Sequence, residues 1–189
     1  MNGINELARD TAWAHSAVLG FASYGVLLFG LLLVLGWRLA RRQGPRAVAA
    51  ALWAGAATLL AVAVNQPIVH AVNEARPYTT HPDLLVLAHR SADASFPSDH
   101  AVMAGAVAAG LWLVSRRLGL VAAVLALAMA FSRVYIAAHY PRDVLAGLAL
   151  GALVSLGGWT LLGRGLTALV GRASRTPLRP LVSSRATPA

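Results

Sequence analysis

The chain has 189 residues, of which 58% are hydrophobic and only 12% are charged, whereas soluble globular domains carry roughly 25% charged residues. This balance favours a membrane protein of one domain, and the lack of cysteine excludes a disulfide framework or a thiolate metal site. All sixteen basic residues are arginine, which gives a net charge of +9. They stand in clusters at the ends of apolar runs and form no single basic face, so we expect no nucleic-acid partner.

Five apolar segments predict membrane-spanning helices. In chain order they are the uncharged stretch between Asp10 and Arg38, residues 47–69, residues 101–115, residues 118–132 and residues 144–163. The first is not typical of a signal peptide, because mixed charges precede it and the strong positive cluster follows it. The third and fourth segments are short for a hydrocarbon layer of about 30 Å, so their helices should continue into the bordering polar residues. The predicted fold class is an all-α, polytopic membrane helix bundle of about five helices.

The distribution of charge along these segments predicts their orientation. Five spans place eleven of the sixteen arginines on one side of the membrane: Arg38, Arg41, Arg42, Arg46, Arg116, Arg117, Arg164, Arg172, Arg175, Arg179 and Arg185. All seven acidic residues fall on the other side: Glu6, Asp10, Glu74, Asp83, Asp93, Asp99 and Asp143. Because arginine-rich loops remain in the cytoplasm, the N-terminus is predicted outside and the C-terminus inside.

The domain boundaries follow from the same pattern. Residues 1–163 are predicted to form one membrane-embedded domain that begins with an outer segment at residues 1–15. Residues 164–189 are basic and lack apolar periodicity, which predicts a disordered cytoplasmic tail that anionic membrane lipids attract. The exclusive use of arginine and the abundance of alanine favour a GC-rich bacterial source, and hence a bacterial plasma membrane. Gly147 and Gly151 form a GxxxG pair, for which close packing within the chain is favoured over a dimer interface; the oligomeric state stays undetermined.

Polar residues that are costly near lipid occur in three segments on the predicted outer side. These are residues 74–78, 95–100 and 132–143, which end the second span, open the third, and join the fourth to the fifth. Any one of these residues could be a helix cap or an interface anchor. Their convergence on one membrane face instead indicates a recessed site that a lipid head group could enter.

The second and third of these segments resemble motifs of the type 2 phosphatidic acid phosphatase (PAP2) superfamily, whose pattern is KxxxxxxRP, PSGH and SRxxxxxHxxxD. The third motif is matched at every fixed position, by Ser132, Arg133, His139 and Asp143. The second is matched by residues 97–100, with aspartate in place of glycine, a variant similar to the bacterial undecaprenyl-diphosphatase branch.

The first motif is only partly present. Arg76 and Pro77 are retained, but Val69 stands at the position of the motif lysine, and the chain contains no lysine elsewhere. The resemblance as a whole covers roughly residues 65–151.

The resemblance implies a mechanism that uses two histidines. His139 would attack phosphorus to form a phosphohistidine, while His100 would protonate the departing oxygen and then activate water. Asp143 would hydrogen-bond one imidazole nitrogen of His139 and leave the other free as the nucleophile. No metal ion and no cofactor is implied.

Phosphate binding would fall to donors around these histidines. Arg76 and Arg133 carry guanidinium groups that bind phosphate through paired hydrogen bonds. Ser98 and the backbone N–H groups around Asp99 and His100 would add donors at a helix N-terminus, where the helix dipole favours an anion. The further candidates are His70, next to the missing lysine, and Arg142.

The implied substrate is a lipid phosphate or diphosphate. An outer-face site favours undecaprenyl or another polyprenyl diphosphate, hydrolysed to the monophosphate; phosphatidylglycerophosphate and phosphatidic acid are the alternatives. Val69 leaves open a non-catalytic lipid-phosphate-binding protein. A channel or transporter is disfavoured, because the span interiors are almost wholly apolar and the polar groups gather at one end.

Overall fold

The computed structural model describes residues 2–183, and its elements are helices joined by turns and loops. They are α1 (Asn2–Asp10), a 3₁₀ turn (Ala12–Ala14), α2 (His15–Tyr24), α3 (Val26–Ala40), α4 (Pro45–Val72), α5 (Pro77–Thr80), α6 (Asp99–Val114), α7 (Arg116–Tyr135), α8 (Pro141–Ala173) and α9 (Arg179–Val182). No strand occurs between residues 2 and 183. The all-α prediction is confirmed.

The apolar helices identify a multi-pass membrane protein. Three of them are long and apolar enough to cross a bilayer: α4 with the short α5 after it, α7, and α8. Helices α2 and α3 are bent by 52° and together count as a fourth crossing, whereas α6 is an apolar helix of 16 residues, below the usual spanning length. Each predicted segment thus corresponds to a helix, but a count of five spans requires both the bent pair and α6.

Helix α6 lies at the centre of the bundle and packs against α4, α7 and α8. Small residues allow the close approach, as expected for helices that associate within lipid. A methyl group on Gly110 would lie 2.6 Å from the Cβ of Ala54, and one on Gly147 would lie 2.9 Å from the Cβ of Ala101. Gly147 and Gly151 both face α6, so the interpretation of this pair as packing within the chain is confirmed.

Large apolar side chains cover the outside of the bundle. They include Leu27, Leu31, Leu59, Leu120, Leu127, Leu153 and Leu161, each more than half exposed. Exposed leucines in such number would be unfavourable in water, but in a bilayer they contact lipid tails.

The helices that carry the motifs extend into them, as the short apolar runs predicted. Helix α6 begins at Asp99, directly after its N-cap Ser98, and α7 continues through Ser132 and Arg133 to Tyr135. Helix α8 begins at Pro141, whose missing N–H costs nothing at the first helical position. The motif residues therefore lie at the ends of three helices and in the loops beside them.

The two ends of the bundle differ in charge. At the motif end, the side chain of Asn5 in α1 donates to the carbonyl of Leu85 at 2.9 Å and accepts from its N–H at 3.1 Å. At the opposite end, Val48 and Val170 belong to one buried apolar cluster. The N-terminal segment thus lies at the motif end, together with the carboxylates, and the arginine clusters lie at the other end.

The prediction of a disordered tail at residues 164–189 is wrong for the first part of that range. Helix α8 continues through Gly163 to Ala173, because leucines and a valine extend its apolar face to Val170. Beyond it, Trp37 donates through Nε1 to the carbonyl of Leu181 at 3.1 Å, which holds α9 against α3. Residues 184–189 lie outside the described residues.

Candidate active site

A cavity of about 650 Å³ opens where α6 begins. It brings together most of the predicted site residues: Arg76, Asp99, His100, Arg133, His139 and the candidate His70. Val69, at the position of the motif lysine, also lines it. Segments far apart in the chain thus converge on one pocket, as the topology predicted.

The loop between α7 and α8 presents His139 to this cavity. Ala137 adopts a left-handed conformation with φ of 61°, uncommon for a residue with a side chain. The turn lets the carbonyl of Arg133 accept from the N–H groups of Ala138 at 3.1 Å and His139 at 3.3 Å. The end of α7 therefore fixes the position of His139 relative to Arg133.

The ring of His139 is oriented by a backbone carbonyl. Its Nδ1 lies 2.8 Å from the carbonyl oxygen of Ser95, which can only accept, so this nitrogen carries the proton. In the neutral ring the lone pair then resides on Nε2, which lies 3.5 Å from Nη1 of Arg76. This is the tautomer that a nucleophilic histidine requires.

Asp143 supports His139 less directly than the sequence predicted. Its Oδ2 lies 3.7 Å from Nδ1 of His139, beyond hydrogen-bond distance. The same oxygen accepts from Oγ of Ser95 at 2.5 Å and from the N–H of Tyr140 at 2.9 Å. The carboxylate is completely buried and stabilises both segments that flank the imidazole.

Ser95 is one of the site residues that sequence reasoning missed. Its N–H donates to the carbonyl of Glu74 at 2.7 Å, its hydroxyl donates to Asp143, and its carbonyl accepts from His139. All its polar groups are thus engaged within the site. The one sequence signal was its place in the 95–100 segment, because no motif position marks it.

Burial lowers the pKa of His139, and this is the largest influence on its ring. The nearby Asp143 carboxylate opposes the shift by raising the pKa, whereas the positive charges of Arg133 and Arg76 lower it further. An imidazole with a pKa below its usual value of about 6.5 is neutral at pH 7. His139 is therefore in the protonation state that attack requires.

The two arginines have donors that the protein does not satisfy. Arg76 donates through Nε to the carbonyl of Asp93 at 2.9 Å and through Nη1 to that of Ala138 at 3.1 Å. Arg133 donates through Nη1 to the carbonyl of Ala22 in α2 at 3.3 Å, while its buried Nε has no partner among the described residues. Both guanidinium groups line the cavity, where an anionic oxygen could complete their hydrogen bonding.

Asp99 and His100 form the first turn of α6, on the cavity wall. The Oδ1 atom of Asp99 accepts from Nδ2 of Asn65 at 2.7 Å and from Nε2 of Gln66 at 3.0 Å. These amides of α4, which sequence reasoning left out of the site, turn the carboxylate toward α4. His100 is half-buried and follows Asp99 on the same wall.

Two predicted contacts are not brought to the cavity. Ser98 is completely buried behind the wall, with an Oγ that has no partner in the described part of the chain. Arg142 forms an ion pair with Glu74, and its guanidinium lies 5.3 Å from the ring of Tyr140. Neither side chain lines the cavity, because Ser98 is buried at the N-cap position of α6 and Arg142 lies on the exposed face of α8.

Comparison with known proteins identifies the family. Residues 50–165 match the profile described as the PAP2 superfamily, and the chain belongs to it. It is 28% identical over 151 residues to undecaprenyl-diphosphatase BcrC of Bacillus subtilis, covering 80% of this chain and 76% of that protein. It is 38% identical over 125 residues to decaprenylphosphoryl-5-phosphoribose phosphatase of Mycobacterium tuberculosis, covering 64% of this chain and 68% of that protein.

A solved structure has the same fold. The transmembrane PAP2-type phosphatidylglycerolphosphate phosphatase of Bacillus subtilis superposes with a TM-score of 0.57 at 24% identity. The similarity covers 88% of this chain and 84% of that one.

Proposed function

We propose that this chain is a membrane lipid phosphatase that hydrolyses a polyprenyl diphosphate to the monophosphate through a phosphohistidine intermediate. The observation that carries the proposal is the state of His139. Its Nδ1–H donates to a backbone carbonyl, and its Nε2 faces a cavity. Two arginines with unsatisfied hydrogen-bond donors line that cavity. A nucleophile beside a paired-arginine anion site suits attack on phosphorus.

The reaction requires two steps at one phosphorus atom. In the first, the Nε2 lone pair of His139 forms a bond to the terminal phosphorus while the bond to the bridging oxygen breaks. His100 donates a proton to that oxygen, and Arg76 and Arg133 balance the charge on the peripheral oxygens. In the second, His100 accepts a proton from water, whose oxygen attacks the phosphohistidine, so that inorganic phosphate leaves and both histidines are restored. The residues supply the charge and the proton transfers without a metal ion.

The relatives favour a polyprenyl substrate. The Bacillus subtilis protein BcrC is named an undecaprenyl-diphosphatase, and YbjG of Escherichia coli, which is 32% identical over 155 residues, is named a putative undecaprenyl-diphosphatase. The name of the Mycobacterium tuberculosis relative also specifies a polyprenyl phosphoryl compound. We therefore place polyprenyl diphosphate first, ahead of phosphatidylglycerophosphate and phosphatidic acid.

We further propose that the cavity faces the extracytoplasmic side of a bacterial plasma membrane. Its end of the bundle carries the carboxylates, whereas the opposite end carries the arginine clusters that the positive-inside rule assigns to the cytoplasm. Cysteine placed at Asp93 should react with an impermeant maleimide in intact cells, while cysteine at Arg175 should react only after lysis. Labelling of position 175 in intact cells would contradict this orientation.

Phosphate release from purified protein tests the activity. The substrates are undecaprenyl diphosphate, phosphatidylglycerophosphate and phosphatidic acid, each in detergent with a chelator present. The wild-type protein should hydrolyse the polyprenyl diphosphate fastest, and His139→Ala and His100→Ala should each lose at least 10²-fold in kcat. His81→Ala, a histidine outside the cavity, is the matched control.

The intermediate gives a second measurement. Substrate labelled in the terminal phosphate should transfer an acid-labile, base-stable label to wild-type protein and none to His139→Ala. Full activity in either alanine variant, or no turnover of any lipid phosphate, would show that the histidine mechanism is wrong.

A further inference from the structure

A second cavity, of about 610 Å³, lies at the arginine-rich end of the bundle. The first turn of α4 and the C-terminal half of α8 form its walls, with Arg46, Trp159, Thr160, Gly163, Arg164 and Thr167 as lining residues. It shares no residue with the phosphate pocket, and the proposed reaction does not use it. Its residues therefore call for a separate explanation.

The described residues do not balance the charge of this cavity. Arg46 and Arg164 have no carboxylate or hydrogen-bond partner in residues 2–183. The threonine hydroxyls are already used, because Thr160 donates to the carbonyl of Gly157 and Thr167 to that of Gly163, both at 2.7 Å. The two guanidinium groups are thus the charged donors that an incoming anion would meet.

The surroundings of the cavity are apolar. Leu161 is 83% exposed and Leu162 is 50% exposed, both on α8 beside the lining residues. Trp159 belongs to the wall, and tryptophan is enriched where hydrocarbon meets head groups. A ligand that fits needs an anionic head for the arginines and an apolar tail for the leucines.

We propose that this second cavity binds the phosphate of an anionic phospholipid, with its acyl chains along the leucines of α8. Basic pockets between membrane helices provide this kind of recognition, and a guanidinium group can donate paired hydrogen bonds to phosphate oxygens. A zwitterionic lipid carries a cationic group that would face the same arginines, so it binds more weakly. The bound lipid would tie the start of α4 to α8.

Native mass spectrometry of the full-length protein in detergent tests this site with phosphatidylglycerol, a phosphodiester that a terminal-phosphate hydrolase leaves intact. Wild-type protein should bind it more tightly than phosphatidylcholine. Arg46→Gln and Arg164→Gln should each weaken phosphatidylglycerol binding roughly fivefold, and the double variant roughly 25-fold. The double variant Arg116→Gln/Arg117→Gln is the matched control, because it removes the same charge at the same end but outside the cavity.

Three results would overturn the proposal. The first is equal loss of binding in the control pair and the cavity pair, which would indicate only general attraction to a basic end. The second is loss of binding in Arg133→Gln, which would place the lipid in the phosphate pocket. The third is full displacement of the lipid by inorganic phosphate, which would indicate a free-anion site. The charge-preserving Arg46→Lys/Arg164→Lys should bind more weakly than wild type but more tightly than Arg46→Gln/Arg164→Gln. Together with the single variants, it keeps the test independent of how well the double glutamine variant folds.

Discussion

The two walls of the phosphate pocket differ in how firmly their side chains are held. The closed wall consists of His139, which lines the cavity, and of Ser95 and Asp143, which support it from behind. These three residues are 0 to 3% exposed and are joined by hydrogen bonds between separate chain segments. The open wall, formed by Val69, His70 and Asn73 at the end of α4, contains two exposed residues. The side chains of His70 and Asn73 form no hydrogen bond within the described part of the chain, and that of Val69 has no polar atom.

This difference follows the two roles of the walls. A nucleophile must be held within a fraction of an ångström, which requires rigid support from neighbouring groups. Charge attraction tolerates looser geometry, so a wall that only helps to bind phosphate can remain open. The motif is complete on the closed wall, whereas the open wall lacks the motif lysine because Val69 stands at its position.

The largest effect should come from Asp143→Asn on the closed wall. The substitution keeps the size of the side chain but removes the negative charge that favours a positive His139 ring during phosphoryl transfer. We expect kcat to fall on the order of 10³-fold, with KM nearly unchanged, because a buried orienting carboxylate acts mainly in the transition state. Steady-state kinetics with undecaprenyl diphosphate would measure it, and a pure KM effect would contradict the role given to the closed wall.

Ser95→Ala should have the next largest effect. It removes the hydroxyl that donates to Asp143 at 2.5 Å but preserves the carbonyl that orients His139. A loss of roughly 10 to 100-fold in kcat is expected, since support is weakened while the tautomer is kept. Ser155→Ala, another fully buried serine but remote from the cavity, is the control. Equal effects of the two substitutions would show that Ser95 matters only for packing.

Val69→Lys tests the open wall. The new ammonium group would restore the charge of the motif and attract the phosphate, so KM should fall about fivefold with little change in kcat. Val72→Lys, an exposed position on α4 that does not line the cavity, is the matched control. If the lysine at 69 instead lowered kcat sharply, the open wall would be part of the catalytic geometry.

The smallest expected effect concerns the pKa and the tautomer of His139 in the protein without substrate. Because burial lowers its pKa, the unfolded chain should bind a proton before the folded chain does as the pH falls. Protonation of this histidine in the unfolded chain therefore lowers the free energy of unfolding as the pH falls through about 6.5, the usual pKa of an exposed histidine. NMR titration of histidine labelled with ¹⁵N should show a pKa below 6.5 and a neutral ring protonated at Nδ1. Asp143→Asn should lower this pKa further, and a ring protonated at Nε2 at neutral pH would contradict the proposed nucleophile.

Spacing in the sequence predicted much of the site, because the motif residues sit at helix ends. Helix periodicity and apolar length place Arg133 at the end of α7, His139 in the next loop and Asp143 in the first turn of α8. The GxxxG pair predicted close packing correctly, because glycine has no side chain to hold a neighbouring helix away. The tail was predicted less well, because its arginine-rich composition was interpreted as disorder although leucines and a valine continue the apolar face of α8 to Val170.

The sequence by itself determined the class of protein: a membrane helix bundle with an uneven charge distribution and a histidine, arginine and carboxylate set on one side. Tertiary structure alone decided how these groups are connected. His139 bonds to a carbonyl 44 residues away, and Asp99 to amides 33 and 34 residues away. Arg142 turns outward to Glu74, and Ser98 is buried behind the wall. Such contacts depend on how helices cross and where loops close, and hydrogen bonds are sensitive to tenths of an ångström that no sequence spacing specifies.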